Sequence, residues 1–128
     1  MRIIAGVHKR RQLKTLKGDN TRPMMDRMKE TVFQIIGPYF DKEVCLDLFS
    51  GSGALSLEAL SRGAKKAVLC DSSKEAINVI KDNVAMLKEE ERVEINHASY
   101  ESILKKYSHY PFNIVFLDPP YRMDVIKT

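Results

Sequence analysis

Between residues 44 and 117 short apolar runs alternate with stretches of helical periodicity, and few folds accept that rhythm. Val44 to Phe49, Ala67 to Cys70, Val93 to Ile95 and Asn113 to Leu117 read as strands. Ala54 to Arg62, Lys74 to Leu87 and Glu101 to Tyr107 read as the helices between them, the longest carrying Ala76, Ile77, Ile80, Val84 and Leu87 on one face. Strand, helix and strand in succession close as right-handed crossovers, so the chain is expected to be α/β, with a doubly wound parallel sheet. The last run is as apolar as a strand covered on both faces should be. Upstream, a helix is expected from Asp26, with Met28, Val32, Ile35 and Ile36 at helical spacing and Gly37 and Pro38 as its stop. Arg2 to Leu16 alternates loosely and reads as a short hairpin or arm, followed by the turn residues Gly18, Asp19 and Asn20. The expected organisation is an arm over residues 1–22 and an α/β domain over 23–128.

A chain of 128 residues with 44% hydrophobic and 30% charged side chains is sized for one soluble domain with a real core. No apolar stretch reaches the roughly 20 residues of a membrane helix, and no apolar leader precedes a cleavage site, so a cytoplasmic protein without a membrane partner is expected. Cys45 and Cys70 sit in apolar, strand-like runs and are expected to be buried free thiols. His8, His97 and His109 lie far apart without ligand spacing, so no metal site is expected. Charge is distributed unevenly. Residues 1–30 hold nine Lys or Arg against three acids, whereas the remainder holds twelve against fourteen. A basic arm on a near-neutral body suits a polyanionic partner, with salt-sensitive binding. A solvated basic tail is the plainer alternative.

The first strand ends in Asp47, Leu48, Phe49, Ser50, Gly51, Ser52 and Gly53, and a helix follows at once. Glycines at 51 and 53 permit tight turning and positive φ, and the helix amino terminus behind them offers free amides. In dinucleotide enzymes such a loop faces a pyrophosphate. Here an acid closes the strand, and Ser56 stands where a third glycine would be. An Asp47 carboxylate would repel phosphate but suits a ligand bearing an amino or cationic group, and S-adenosylmethionine carries both. Asp71 closes the second strand at the spacing from which an acid accepts ribose hydroxyls. Alternatively, it caps the next helix beside Ser72 and Ser73.

After the fourth strand stand Asp118, Pro119, Pro120 and Tyr121. A carboxylate and a proline carbonyl at a strand's carboxyl end can each accept one N–H of an exocyclic amine. That pushes the nitrogen towards a tetrahedral shape with its lone pair aimed outward. Methyl transfer then needs chiefly that the reactants be held about 3 to 3.5 Å apart. Tyr121 can stack on the base, and Pro120 stiffens the turn so that both acceptors are set beforehand. A proline-rich turn ending an edge strand is the bland reading of the same residues.

Together these residues resemble class I methyltransferases that modify exocyclic amines. Arg22, Pro23, Met24, Met25, Asp26, Arg27, Met28, Lys29, Glu30, Thr31, Val32 and Phe33 are similar to the R-P-x-x-D-[RK]-[VM]-[RK]-E-x-[LIV]-F signature of the bacterial 16S ribosomal RNA guanine N2 methyltransferases. The opening Arg2 to Gly6 and the run Leu57 to Gly63 resemble the same family. The resemblance implies a Rossmann-like sheet of order 3-2-1-4 and S-adenosylmethionine as cofactor. Asp47, Leu48, Phe49, Ser50, Gly51, Ser52 and Gly53 would then line its methionine part, and Asp71 and Ser72 its ribose. Asp118, Pro119, Pro120 and Tyr121 would hold the target guanine. Ribosomal RNA of the small subunit, or of its assembly intermediate, would be gripped by Lys9, Arg10, Arg11, Lys14, Arg22 and Arg27.

Three departures stand out. Met24 and Met25 replace the small hydroxyl residues usual after Arg-Pro in that family. Asn96, His97 and Ala98 follow the third strand where an acid commonly meets the adenine amine, so His97 and Ala98 are the expected adenine contacts here, with a surface histidine as the alternative. The sequence stops at Thr128, soon after the tetrad, which predicts either a fragment or a fourth strand whose edge is covered by something else. The leading expectation is methylation of a guanine amino group in 16S ribosomal RNA. Its rivals are a DNA adenine or cytosine amino methyltransferase and an inactive RNA- or cofactor-binding module.

Overall fold

A computed structural model describes residues 1–16 and 23–117, with backbone alone for 23–26. Four parallel strands, β1 (Val44–Asp47), β2 (Lys66–Asp71), β3 (Val93–His97) and β4 (Ile114–Phe116), form one sheet of order β3-β2-β1-β4. Helices α2 (Ala54–Ser61), α3 (Lys74–Leu87) and α4 (Tyr100–Lys106) supply the crossovers, and α1 (Pro23–Ile36) precedes the sheet. The expected doubly wound order is therefore observed. Among the described residues, no helix is long and apolar enough to cross a membrane.

Alternation along the strands sorts side chains into two layers. Cys45, Ala67 and Leu69 face a core shared with Phe33 of α1, Leu57 and Leu60 of α2, and Ile77 and Ile80 of α3. Leu46, Val68 and Cys70 face the opposite way, onto Ile103 of α4 and the aromatic group Phe49, Tyr100, Tyr107 and Phe112. Both cysteines are free and buried. Burial, with the nearby Asp47 charge adding to it, pushes the Cys45 thiol up to about 12. Burial likewise raises Cys70 to about 11, aided by Asp71 and Asp47.

Helix α3 spans the residues expected of it because both ends are specified locally. Ser73 accepts the Ala76 N–H at its start (3.3 Å), and Lys88 turns left-handed at its end, where the Glu89 N–H reaches back to the Val84 carbonyl. Two other expectations are corrected. Helix α1 begins at Pro23, three residues before Asp26, because proline's fixed φ and missing N–H suit a first helical position. Strand β4 is not covered on both faces: Val115 is 53% exposed, and Leu117 just beyond it 52%.

Residues 1–14 form a hairpin rather than a loose arm. Arg2 and Gln12 make an antiparallel bridge, Ile3 and Arg11 share a backbone bond of 3.0 Å, and Leu13 bonds back to Met1 at 2.8 Å. Met1, Ile3 and Leu13 join the same core as α2 and α3. The close approach at the hairpin's bend demands glycine: at Gly6, with φ +90°, a Cβ would lie 1.8 Å from the Ser61 carbonyl oxygen.

Candidate functional site

The carboxyl ends of β1, β2 and β3 lie side by side, and the chain leaves each of them through residues with chemistry. Between β1 and β4 the strand order reverses, which is where open α/β sheets bind ligands. At the end of β1 the Ser50 hydroxyl donates to the Asp47 carbonyl (3.0 Å) and accepts the Cys70 N–H (3.0 Å), stitching the loop to β2. The loop then turns on two positive-φ glycines, Gly51 and Gly53, with the Gly53 N–H on the Ser50 carbonyl at 2.7 Å. At Gly53 a Cβ would press on Leu69 at 3.2 Å, whereas at Gly51 it would meet nothing within 4 Å. Gly51 borders open space; Gly53 is packed.

Asp47 is 1% exposed and accepts the Ser56 hydroxyl at 2.8 Å. This bond explains why serine replaces the third glycine of the loop pattern: its hydroxyl meets the carboxylate at the strand end. Asp71 accepts the Gly51 N–H on Oδ2 and the Ser73 N–H on Oδ1, both at 2.9 Å. It therefore braces the start of α3 and holds the glycine loop at once. A carboxylate offers about four lone-pair sites, so these two bonds leave acceptor capacity for ligand hydroxyls.

At the end of β3, His97 is the register partner of Asp71, and its Nε2 lies 3.0 Å from the Ser72 carbonyl. A carbonyl only accepts, so Nε2 donates here, and in the neutral ring that tautomer leaves Nδ1 as an acceptor. The Ala98 N–H donates to the Asp71 carbonyl (3.1 Å), and the Cys70 thiol to the Ala98 carbonyl (3.1 Å). Phe49 and Tyr100 stack at a 40° tilt with centroids 5.3 Å apart. The structure thus gathers the eleven residues expected to bind cofactor, Asp47 to Gly53, Asp71, Ser72, His97 and Ala98, onto three adjacent strand ends. Arg22 and the tetrad Asp118 to Tyr121 lie outside the described residues.

The basic cluster is built on the hairpin. Lys9, Arg10 and Arg11 are exposed around its bend, where Arg10 has φ +73°. Arg11 donates to the Met86 carbonyl (3.2 Å) and Lys14 pairs with Asp82 (2.9 Å), both on α3, and Arg27 is exposed on α1. His8 bonds Glu89 at 2.6 Å, and Glu89 also pairs with Arg92. Burial alone would raise the Glu89 carboxyl, but the Arg92 and His8 hydrogen bonds outweigh it and hold it below the ordinary range.

Glu58, within the family-like run Leu57 to Gly63, and Asn83, neither of them an expected site residue, organise this end of the molecule. Glu58, 0% exposed on α2, accepts the Ile4 N–H (2.9 Å) and Ala5 N–H (3.1 Å), pairs with Lys29 (3.2 Å), and takes the Arg62 Nε–H (2.8 Å). Asn83, 1% exposed on α3, accepts the Lys14 N–H (2.8 Å) and donates to the carbonyls of Lys14 (3.1 Å) and Ser52 (2.9 Å). For Asn83 a signal was available: it falls in the buried phase of an otherwise apolar stripe on α3, where a polar residue needs partners.

Comparison with known proteins agrees with this architecture. A protein family described as Conserved hypothetical protein 95 matches residues 1–128. The chain is 42% identical over 129 residues to ribosomal RNA small subunit methyltransferase D of Haemophilus influenzae, covering 99% of this chain and 67% of that protein. With the Escherichia coli K12 protein of the same name it shares 37% over 127 residues, covering 99% and 63%. A solved Escherichia coli structure described as a methyltransferase superposes with a TM-score of 0.83 at 36% identity, over 99% of this chain and 69% of that one. The chain spans about two thirds of the length of these relatives. The parallel sheet of order β3-β2-β1-β4 with its crossover helices is that of a class I methyltransferase fold, and the chain belongs to the Conserved hypothetical protein 95 family, alongside the bacterial small-subunit ribosomal RNA methyltransferases that its sequence resembles.

Proposed function

We propose that this protein transfers a methyl group from S-adenosylmethionine to the exocyclic amino group, N2, of a guanine in 16S ribosomal RNA. The observation that carries the reading is the convergence of the Gly51 loop, Asp71 and His97 on neighbouring strand ends beside the switch point of the sheet. The names of the relatives support ribosomal RNA of the small subunit as the substrate class.

The residues present fit such a cofactor. Space beside Gly51 admits a ligand close to the backbone. Asp71 retains acceptor capacity for a ribose diol, and His97 Nδ1 can accept from an adenine amine. Phe49 and Tyr100 offer aromatic faces nearby. Bound there, S-adenosylmethionine supplies an electrophilic methyl whose sulfur leaves as a neutral thioether. Asp118 and the Pro119 carbonyl would each accept a hydrogen bond from one N–H of the guanine amine, aiming its lone pair outward for attack, and Tyr121 would stack on the base. Asp118 or solvent then takes the proton that the new secondary amine releases. The guanine must leave its stack, at a cost of a few kcal/mol. Lys9, Arg10, Arg11 and Lys14 on the hairpin, with Arg22 and Arg27, meet the phosphates, so binding weakens steeply with salt.

Incubation with methyl-labelled cofactor and either 30S subunits or duplex DNA tests the reading. Label is expected in 16S ribosomal RNA alone, on guanine N2; label only in DNA would overturn it. Asp118→Ala is expected to abolish transfer while S-adenosylhomocysteine affinity stays within severalfold, and a large loss of that affinity would show that the residue serves the cofactor instead.

A further inference from the structure

Asn83 connects two regions that the sequence treats as separate. It is buried on α3 with its amide engaged in three bonds: two to the backbone of Lys14 in the hairpin and one to the carbonyl of Ser52 in the glycine loop. Ser52 lies between the two glycines, where the backbone has the most freedom to lose on binding a ligand. The loop's other ties, Gly51 to Asp71 and Gly53 to Ser50, come from the sheet and from the loop itself. Asn83 alone among these links the loop to the hairpin. It grips both polar groups of the Lys14 backbone, so a change in the hairpin's position reaches the loop through one rigid planar amide.

We propose that Asn83 is a positioning residue that couples the basic hairpin to the cofactor loop, so that RNA on the hairpin and an S-adenosyl ligand on the loop tighten each other's binding. The inference rests on the cofactor and RNA assignments above. RNA held by Lys9, Arg10 and Arg11 fixes the hairpin; the hairpin fixes Lys14; and Asn83 fixes Ser52 before the ligand arrives. Linkage makes the effect reciprocal and equal in both directions.

Calorimetry with S-adenosylhomocysteine, with and without a saturating RNA stem-loop, tests it. For the unaltered protein, RNA is expected to tighten the ligand by roughly fivefold, the lower end of common couplings. In Asn83→Leu that ratio is expected to fall to about one. Lys14→Pro removes the N–H that Asn83 accepts without altering any buried side chain, and should do the same. Lys14→Ala loses the same positive charge but keeps the backbone N–H; it should bind RNA more weakly and still show the full ratio. A merely structural role would weaken ligand binding in the variants and leave the ratio untouched. A ratio near one in the unaltered protein, an unchanged ratio in Asn83→Leu and Lys14→Pro, or a ratio lost in Lys14→Ala would each overturn the coupling while leaving the proposed function intact. An unaltered protein that binds no S-adenosylhomocysteine would overturn both.

Discussion

Glu58 and Asp71 are both acids that accept backbone N–H groups, yet one is closed and the other open. Glu58 meets two amides, Lys29 and Arg62, which occupy all of the roughly four lone-pair sites of a carboxylate. Asp71 meets two amides and stays partly exposed at the strand ends. The difference separates scaffold from site. The three segments that carry the family likeness, Arg2 to Gly6, Arg22 to Phe33 and Leu57 to Gly63, meet at Glu58 through Ile4, Ala5, Lys29 and Arg62. Arg62 also lies over the Phe33 ring at 4.9 Å. Lys29, Glu58 and Arg62, all from these segments, therefore tie the hairpin at Ile4 and Ala5 to α1 and α2.

Opening the closed acid should have the largest effect. Glu58→Gln leaves two buried cations facing an amide and is expected to destabilise the fold by about 3 to 5 kcal/mol, read from the urea midpoint. A loss below about 1 kcal/mol would mean that the network is not what holds the hairpin. Next in size is a pair of glycines with positive φ. Gly6→Ala drives a Cβ into the Ser61 carbonyl and should cost roughly 3 kcal/mol, because strain and clash act together. Gly51→Ala meets no atom and should cost only about 1 kcal/mol of stability. S-adenosylhomocysteine affinity in Gly51→Ala should nevertheless fall about tenfold or more, equivalent to about 1.4 kcal/mol. Equal stability losses in the two variants, with ligand affinity intact in Gly51→Ala, would erase the distinction between scaffold and site.

The smallest effect concerns Glu89, at the outer margin of the hairpin's contact with α3. Its carboxyl is held below the ordinary range in the fold, so its contribution is present above the unfolded-state pKa and is lost as pH falls through the lower, folded value. Stability measured in urea should therefore decline through that acid window. In Glu89→Gln the decline should be shallower, and an identical slope would remove Glu89 from the hairpin's anchoring.

How far the sequence discloses this molecule depends on the range of the forces involved. Helix α3 was legible residue for residue because Ser73 and the buried stripe at Ala76, Ile77, Ile80, Val84 and Leu87 are local signals. The start of α1 lies upstream of Asp26 because the apolar spacing that marks the helix begins only at Met28, whereas Pro23 supplies the first turn. The exposure of Val115 was not legible, since apolar composition says what a strand can bury and not which neighbour covers it. In the site, the strand-end acids and the glycine loop were legible from spacing. The bonds from Asp71 to Gly51 and from Asn83 to Ser52 were not, because they join residues 20 and 31 positions apart. The partners of Glu58 were hidden for the same reason, its amide donors lying 54 and 53 positions away.

The hairpin has one further consequence, for the order of events during synthesis. Its contacts run forward to Glu58 and Ser61, then to Asn83 and Glu89, as far as 81 residues along the chain. It precedes α2 and α3 in the chain and is anchored only after both have emerged, since such long loops must close before their contacts repay the entropy. Until then Lys9, Arg10 and Arg11 travel on an undocked basic segment, and any nearby polyanion competes with the fold for them.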